Sequence, residues 1–181
     1  MTTRTIGRRL WGAFAAITMS ALLSVLGLVP LTCDAVAQQK TLKEQLIGTW
    51  TIVSVVNTRP DGTKFDPFGG KATGLMMSDG AGHFSYQIIR SDIPKLASNN
   101  RQQGTADEFK AMAQGVLAYF GTYSLDDSGK TLTQHIEISS FPNFNGTKRI
   151  WEIALTGDEL TITGQAAASG GTNVLKLKRV K

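Results

Sequence analysis

The sequence predicts an all-β fold, an eight-stranded antiparallel up-and-down barrel with one helix between strands 3 and 4. From residue 46 onward, short runs rich in β-branched, aromatic and aliphatic residues alternate with Gly, Pro, Asn and Asp turn signals. Eight strands in up-and-down order place the first beside the eighth, so the sheet can close and lose its exposed edges. A single stretch with helical spacing interrupts the series. A barrel of this size holds either packed side chains or one small ligand.

The first 37 residues have the pattern of a secretory signal peptide. Three arginines precede an apolar run over residues 10–31, and the triplet Ala-Val-Ala that ends at Ala37 is a small-x-small cleavage site. We therefore expect cleavage, with residues 38–181 as one domain in the periplasm or secreted, and with no stable membrane span afterwards. The alternative is an uncleaved anchor, because about 20 apolar residues can span a bilayer.

Composition excludes several functional classes. The formal net charge is +5, and without the leader 16 basic residues face 13 acidic ones, with no Lys/Arg block. Such a mild balance is not typical of a nucleic-acid-binding face. Cys33 is the only cysteine and lies in the leader, so no disulfide forms within the chain. His83 and His135 are too far apart for a zinc signature, and no cofactor motif is present, so no metal and no cofactor is expected.

The predicted strands follow one another with short turns. Each ends at a turn signal, such as Arg59-Pro60-Asp61-Gly62 after the first strand or Asp126-Asp127-Ser128-Gly129 after the fourth. In chain order the strands are Leu46 to Asn57, Thr73 to Ser78, His83 to Arg90, Phe120 to Leu125, Thr131 to Ser139, Thr147 to Leu155, Leu160 to Thr163, and Asn173 to Val180.

The helix between the third and fourth strands is predicted from its first turn. Thr105-Ala106-Asp107-Glu108 is a capping box, in which the Thr hydroxyl and the Glu carboxylate satisfy free backbone N–H groups. Apolar residues then recur at helical spacing, at Phe109, Met112, Val116 and Leu117.

Several segments resemble the bacterial lipocalin-like domain family. Gly48-Thr49-Trp50 resembles the G-x-W start common to lipocalins. The segments "DPFGGKATGLMMSDGAGHFSYQIIR", "GTADEFKAMAQGVLAYFGTYSLDD" and "LTQHIEISSFPNFNGTKRIWEI" follow in the order shown by that family. The resemblance implies a small β-barrel that encloses a ligand and, for most members, no established activity.

Alternation with period two predicts which residues face the interior. On the fifth strand, His135 and Glu137 fall on the outer face; the alternative, a His/Glu acid-base pair facing a cavity, needs the strand reversed. The inward set of that strand is Leu132, Gln134, Ile136 and Ile138. On the other strands the predicted inward residues are Trp50, Ile52, Ser54 and Val56; Phe84, Tyr86, Ile88 and Arg90; Tyr123 and Leu125; Arg149, Trp151, Ile153 and Leu155; Leu160 and Ile162; and Leu175, Leu177 and Arg179.

Strand direction distinguishes the two ends of the barrel. Trp50 and Arg179 fall together at one end, where a guanidinium stacked on the indole would seal it; the resemblance to lipocalins implies the same arrangement. Arg90 and Arg149 fall at the opposite end, together with four loop phenylalanines. Such a mouth suits an amphipathic ligand with a carboxylate or phosphate, which arginine binds in bidentate fashion. The alternative is that each arginine points to solvent or pairs with a carboxylate. The phenylalanines are Phe65, Phe68, Phe141 and Phe144, and the candidate carboxylates are Asp66, Asp92 and Glu108.

The sequence favours an exported protein that binds a small hydrophobic or amphipathic molecule, an anionic one included, inside the barrel. One alternative is a cyclase- or isomerase-type enzyme that uses the cavity and moves a proton through Tyr86, Tyr123, Arg90 or His135. Another is an envelope structural or interaction module with a solid core. No residue is assigned as catalytic, and ligand identity and oligomeric state stay open. The candidate ligand-binding residues are Ser54, Phe84, Tyr86, Arg90, Tyr123, Gln134, Arg149 and Trp151.

Overall fold

The computed structural model describes residues 40–165 and 171–181. The predicted signal peptide and its cleavage site lie outside the described residues. Within the described ranges, no helix is both long and apolar enough to cross a membrane.

The described chain forms a closed antiparallel barrel, as predicted. Eight strands pair in sequence order, and pairing of the first with the last closes the sheet. A ninth strand of two residues, Lys64–Phe65, pairs with the end of the first strand. It was not predicted, because two residues are too few for an alternating pattern to be recognised. The strands are β1 (Gly48–Thr58), β2 (Lys64–Phe65), β3 (Ala72–Ser78), β4 (His83–Arg90), β5 (Val116–Leu125), β6 (Thr131–Ser139), β7 (Lys148–Thr156), β8 (Glu159–Gln165) and β9 (Thr172–Arg179).

The predicted helix is α2 (Ala106–Gly115), between β4 and β5, which are the third and fourth barrel strands. Its capping box is present: Glu108 N donates to Thr105 Oγ1 at 3.3 Å, and Thr105 N donates to Glu108 Oε2 at 2.7 Å. The prediction that Val116 and Leu117 extend the helix is wrong, because the helix ends at Gly115 and both residues belong to β5. Two short helices were not predicted, α1 (Leu42–Leu46) and a 3₁₀ turn at Pro142–Phe144.

Trp50 and Arg179 seal one end of the barrel, which confirms the predicted pair. The Arg179 guanidinium carbon lies 4.2 Å from the centre of the Trp50 ring. The same guanidinium donates to the carbonyl oxygens of Ile47, at 3.0 Å, and of Gln45. The fully buried Trp50 indole donates to Leu46 O at 3.0 Å. We call this the sealed end, and the opposite end the mouth.

A bulge in β1 reverses the predicted sidedness of the second half of that strand. Ile52 pairs with Leu177 and Ser54 pairs with Lys176, so Val53 is an extra residue with no partner position. Val53 is 62% exposed, whereas Val55 is 2% exposed and faces the interior. The predicted inward orientation of Ser54 and Val56 is therefore wrong, because one inserted residue exchanges the two faces beyond it.

A second bulge in β6 has the same effect near its end. Ile136 pairs with Gly121 and Ile138 pairs with Phe120, so Glu137 is the extra residue. Leu132, Gln134 and Ile136 are buried as predicted, but Ile138 is 54% exposed and Ser139 is buried in its place. The prediction for Ile138 is thus wrong. Gly121 faces the bulge so closely that an added Cβ would lie 1.9 Å from the carbonyl oxygen of His135, which explains glycine at this position.

Candidate functional site

A cavity of about 370 Å³ occupies the half of the barrel nearer the mouth. This volume lies at the lower end of the range for small-molecule sites. Its walls are the inner faces of the strands, mainly Val55, Met76, Trp151, Ile162 and Leu175. Its mouth is bordered by the loop before β3, the α2–β5 junction and the β6–β7 loop, through Pro67, Phe68, Ala113, Gln114, Leu117 and Phe141.

The Trp151 ring forms one wall because β8 has no side chain opposite it. Trp151 pairs with Gly164, and a Cβ added to Gly164 would lie 2.4 Å from Trp151 Cε3. Any larger residue there would push the indole toward the cavity. A glycine on β8 therefore sets the position of an aromatic wall on β7.

Arg149 carries the one charged side chain among the described residues that line the cavity. Its guanidinium carbon lies 4.5 Å from the Phe144 ring centre and 4.4 Å from the Trp151 ring centre, so it stacks between two aromatic faces. Nη2 donates to Gln165 O at 2.6 Å. Within the described ranges no carboxylate lies within 4.0 Å of this guanidinium. Burial lowers the pKa of Arg149 from its ordinary value, but a guanidinium remains charged in proteins.

Tyr86 and Tyr119 face the cavity beside each other. They are directly paired on β4 and β5, and their ring centres lie 4.8 Å apart. Neither hydroxyl hydrogen-bonds to another residue that the structure describes, and every fully buried side-chain oxygen or nitrogen in those ranges has a partner. Both hydroxyls therefore open onto the cavity. Burial raises the pKa of Tyr119 to about 12 and that of Tyr86 well above its ordinary value, so both phenols keep their protons at neutral pH.

The orientation of the Gln134 amide follows from its partner. The indole Nε1 of Trp151 lies 2.8 Å from Gln134 Oε1. An indole N–H can only donate, so the amide oxygen must accept, and the amide NH₂ makes no hydrogen bond to another residue that the structure describes. Nearer the mouth, the side-chain amides of Asn57 and Asn173 are joined by a bond of 2.6 Å.

Four of the eight candidate residues line the cavity, namely Tyr86, Gln134, Arg149 and Trp151. Phe84 and Tyr123 instead border a space of about 10 Å³ nearer the sealed end, too small for more than one water molecule. The Tyr123 hydroxyl donates to Asp79 O at 2.8 Å. Ser54 lies outside the cavity lining, because the β1 bulge turns its side of the strand away.

The fourth candidate outside the cavity is Arg90. Its Nε donates to Asp92 Oδ1 at 2.9 Å, and Lys71 Nζ lies 3.1 Å from Asp92 Oδ2. Hydrogen bonds from Arg90 and Lys71 lower the pKa of Asp92 to about 2. Arg90 is therefore paired with a carboxylate outside the cavity. This is the alternative to ligand binding that the sequence left open for this residue.

Val55, Asn57, Tyr119 and Asn173 line the cavity but were not among the candidates. Tyr119 shares the parity of Tyr123, so continuing the alternation backward along β5 would have found it. His135 and Glu137 are exposed on the outer wall, so the alternative of an acid-base pair facing the cavity is wrong. Within the described ranges, no group of three or more His, Cys, Asp or Glu residues is placed to hold a metal ion.

A closed eight-stranded antiparallel barrel around an internal cavity defines the class of small β-barrel proteins. The chain matches the model of the lipocalin-like domain over residues 47–178 and belongs to that family. It is similar to the 4'-hydroxy-3'-methoxypropiophenone carrier protein of Aspergillus oryzae, with 27% identity over 85 residues, 44% of this chain and 77% of that protein. Because this relative is fungal, the narrower bacterial grouping stays a prediction.

Solved structures with a similar fold include a redesigned β-barrel and a lipocalin-like protein from Bacteroides uniformis. The first is 15% identical, with 77% of this chain and 96% of that chain covered and a TM-score of 0.42. The second is 16% identical, with 75% and 98% covered and a TM-score of 0.42.

Proposed function

We propose that the protein is an exported carrier that binds a small hydrophobic or amphipathic molecule inside its barrel. The observation that carries this proposal is the cavity of about 370 Å³, with its apolar wall and with the hydroxyls of Tyr86 and Tyr119, which make no hydrogen bond to another residue that the structure describes. Because these hydroxyls open onto the cavity, a bound molecule can accept their hydrogen bonds there. The similarity to a protein named as a carrier of an aromatic ketone supports the same class.

The cavity favours a carrier over a structural module. A module that acts only through its outer surface has no use for an unfilled interior, and close packing of the core would make it more stable. Here the space lies beside the partly buried Arg149 and two phenol hydroxyls, which are groups that a bound molecule can pair with.

The side chains that line the cavity favour binding over catalysis. A general base needs a pKa near the working pH, and in the described ranges no His, Cys, Asp or Glu lines the cavity. The raised pKa values of Tyr86 and Tyr119 keep both phenols protonated. They therefore act as hydrogen-bond donors, and the cyclase or isomerase alternative lacks a proton acceptor among these side chains.

Export is proposed from the leader pattern of residues 1–37. Mass spectrometry of the protein purified from its host tests it. We expect the mature chain to begin at Gln38. An intact leader on the purified protein would contradict cleavage and favour the anchored alternative.

Binding is tested by titrating the full chain with N-phenyl-1-naphthylamine, a neutral probe that fluoresces in apolar surroundings. We expect a saturable signal at one probe per chain. Leu117→Trp places a bulky side chain at the mouth and should weaken binding at least about tenfold, or 1.4 kcal/mol. The matched control is Val53→Trp on the outer face, which should leave the affinity unchanged. No saturable signal, or equal affinity in both variants, would overturn the proposal.

A further inference from the structure

Four of the polar side chains that line the cavity form one contiguous cluster, here called the Arg149 cluster: Tyr86, Tyr119, Gln134 and Arg149. Gln134 and Arg149 are directly paired on β6 and β7, and both contact Trp151. Tyr119 packs edge-on against Phe144, at 6.1 Å between ring centres, and Phe144 is the second ring on which Arg149 stacks. Tyr86 packs on Tyr119. The four side chains therefore surround one part of the cavity.

The Arg149 cluster offers hydrogen-bond donors in excess of acceptors. Arg149 has five N–H donors, and one of them donates to Gln165 O. The Gln134 oxygen is already occupied by Trp151, so its NH₂ remains. Tyr86 and Tyr119 contribute hydroxyls that keep their protons. A ligand group with several acceptor lone pairs would complement these donors.

The charge of the cluster is a single positive one. Arg149 is the one charged side chain of the described cavity lining, and its nearest supports are two aromatic faces and a backbone carbonyl. Arg149 is partly buried, and a partly desolvated cation without a counter-ion is stabilised by one opposite charge. A ligand with two negative charges would leave one unpaired, and a cationic ligand would add to the positive charge.

We propose that the natural ligand is a monoanion, whose carboxylate or comparable singly charged group binds to the Arg149 cluster while its apolar body fills the remaining cavity. This inference rests on the proposed carrier function and specifies its ligand class. The anionic group lies inside the barrel against β6 and β7. It does not bind at Arg90, because Asp92 already occupies that guanidinium.

Three compounds with one skeleton and different end groups test the inference: 4-phenylbutanoate, 4-phenylbutan-1-ol and 4-phenylbutylamine. Each displaces N-phenyl-1-naphthylamine from the full chain at neutral pH, and the displacement gives its affinity. Hydrogen bonds to charged groups are the stronger ones, so we expect the carboxylate to bind at least about tenfold more tightly than the alcohol. The amine should bind most weakly.

Arg149→Met removes the charge and keeps the length of the side chain. It should abolish the preference for the carboxylate over the alcohol, read as the ratio of the two affinities within the same variant, so that a uniform change in affinity cancels. The matched control is Arg90→Met, the same change near the same end of the barrel at a residue outside the cavity. This control should keep the full preference. A preference that survives Arg149→Met, or that is lost in Arg90→Met, would overturn the inference.

Tyr119→Phe provides a second variant in case Arg149→Met does not fold. It removes one donor and leaves the charge, so the carboxylate should lose affinity several-fold relative to the alcohol; an unchanged ratio would contradict the proposed cluster. The two proposals fail in different ways. Absence of binding by the neutral probe and all three compounds contradicts the carrier function. Binding of the alcohol as tight as that of the carboxylate contradicts only the monoanion.

Discussion

The indole N–H of Trp151 donates to the side-chain oxygen of Gln134 over 2.8 Å. Because Trp151 also stacks on Arg149 at 4.4 Å, one residue fixes both the amide and the guanidinium of the cavity wall. The apolar wall and the polar cluster are thus parts of one packed unit.

Gln134→Glu should remove the preference of the cavity for a carboxylate. The substitution keeps an acceptor for Trp151 but replaces the amide NH₂ with an anionic oxygen next to Arg149. We expect the affinity for 4-phenylbutanoate to fall at least about tenfold, with a smaller loss for the alcohol. Probe displacement measures both. The control Gln87→Glu changes an exposed residue of β4 and should have no effect; an equal loss in both variants would point to net charge rather than to the cluster.

Arg179→Met should destabilise the sealed end. The change removes the stacking on Trp50 and two hydrogen bonds to backbone carbonyls, at an expected cost of about 1 to 3 kcal/mol in the free energy of unfolding. Urea denaturation followed by tryptophan fluorescence measures it. Lys176→Met, an exposed cation on the same strand, should stay within about 0.5 kcal/mol of the wild type. A similar cost for the two variants would mean that the stacked pair contributes little.

Gly164→Ala should displace the Trp151 ring. Its Cβ would lie 2.4 Å from Trp151 Cε3, closer than packed atoms allow, so overpacking should cost about 1 to 3 kcal/mol of stability and narrow the cavity. Urea denaturation and probe titration report the two effects. In Gly80→Ala the added Cβ meets Ile47 Cδ1 at an ordinary 3.5 Å, and we expect nearly unchanged behaviour. A Gly164→Ala variant with wild-type stability and affinity would contradict this prediction, because it would show that the Trp151 ring can shift without cost.

The Asp92 ion pairs should make a pH-dependent contribution to stability. Hydrogen bonds from Arg90 and Lys71 lower the pKa of Asp92 from 3.8 to about 2 in the folded chain. A depressed carboxyl pKa stabilises the fold above the unfolded value, and this contribution is lost as the pH falls through the folded value. Asp92→Asn should therefore be less stable than the wild type at neutral pH, and the difference should shrink between pH 3.8 and about 2.

Urea midpoints over that pH range measure the difference between Asp92→Asn and the wild type. Asp127→Asn serves as the control, since Asp127 is exposed and makes no ion pair with the residues that the structure describes. A pH-independent difference for Asp92→Asn would contradict the assignment.

The sequence predicted the inner faces correctly over most of the uninterrupted strands, whereas the inward prediction for Arg90, at the end of β4, is wrong. Tyr86 on β4, Trp151 on β7 and Leu160 on β8 are all buried as alternation requires. Up-and-down order also placed Arg179 on Trp50, because strand direction alone decides which residues share an end. These features depend on local periodicity and chain direction, which the residue pattern records.

The errors occur where one residue changes the geometry. The bulges at Val53 and Glu137 each insert one residue, and no sequence motif indicates either insertion. Beyond the bulges, Ser54 and Ile138 face outward. Tyr119 was missed because the apolar spacing of α2 continues past Gly115 into β5. The pair Asn57 and Asn173 depends on the closing register of β1 and β9, which no local pattern specifies.

The most direct test of an internal ligand site compares the indole N–H signals of Trp50 and Trp151, two of the three tryptophans of the full chain, in a ¹⁵N–¹H NMR spectrum. Trp151 Nε1 lies at the cavity wall, and Trp50 Nε1 is bonded to Leu46 O at the sealed end; Trp151→Phe and Trp50→Phe assign the two signals. Titration with 4-phenylbutan-1-ol, which carries no charge, should shift the Trp151 signal in a saturable way and leave the Trp50 signal in place. A Trp151 signal that stays fixed while Trp50 shifts, or no shift of either at saturating ligand, would contradict a carrier that binds its ligand inside the barrel.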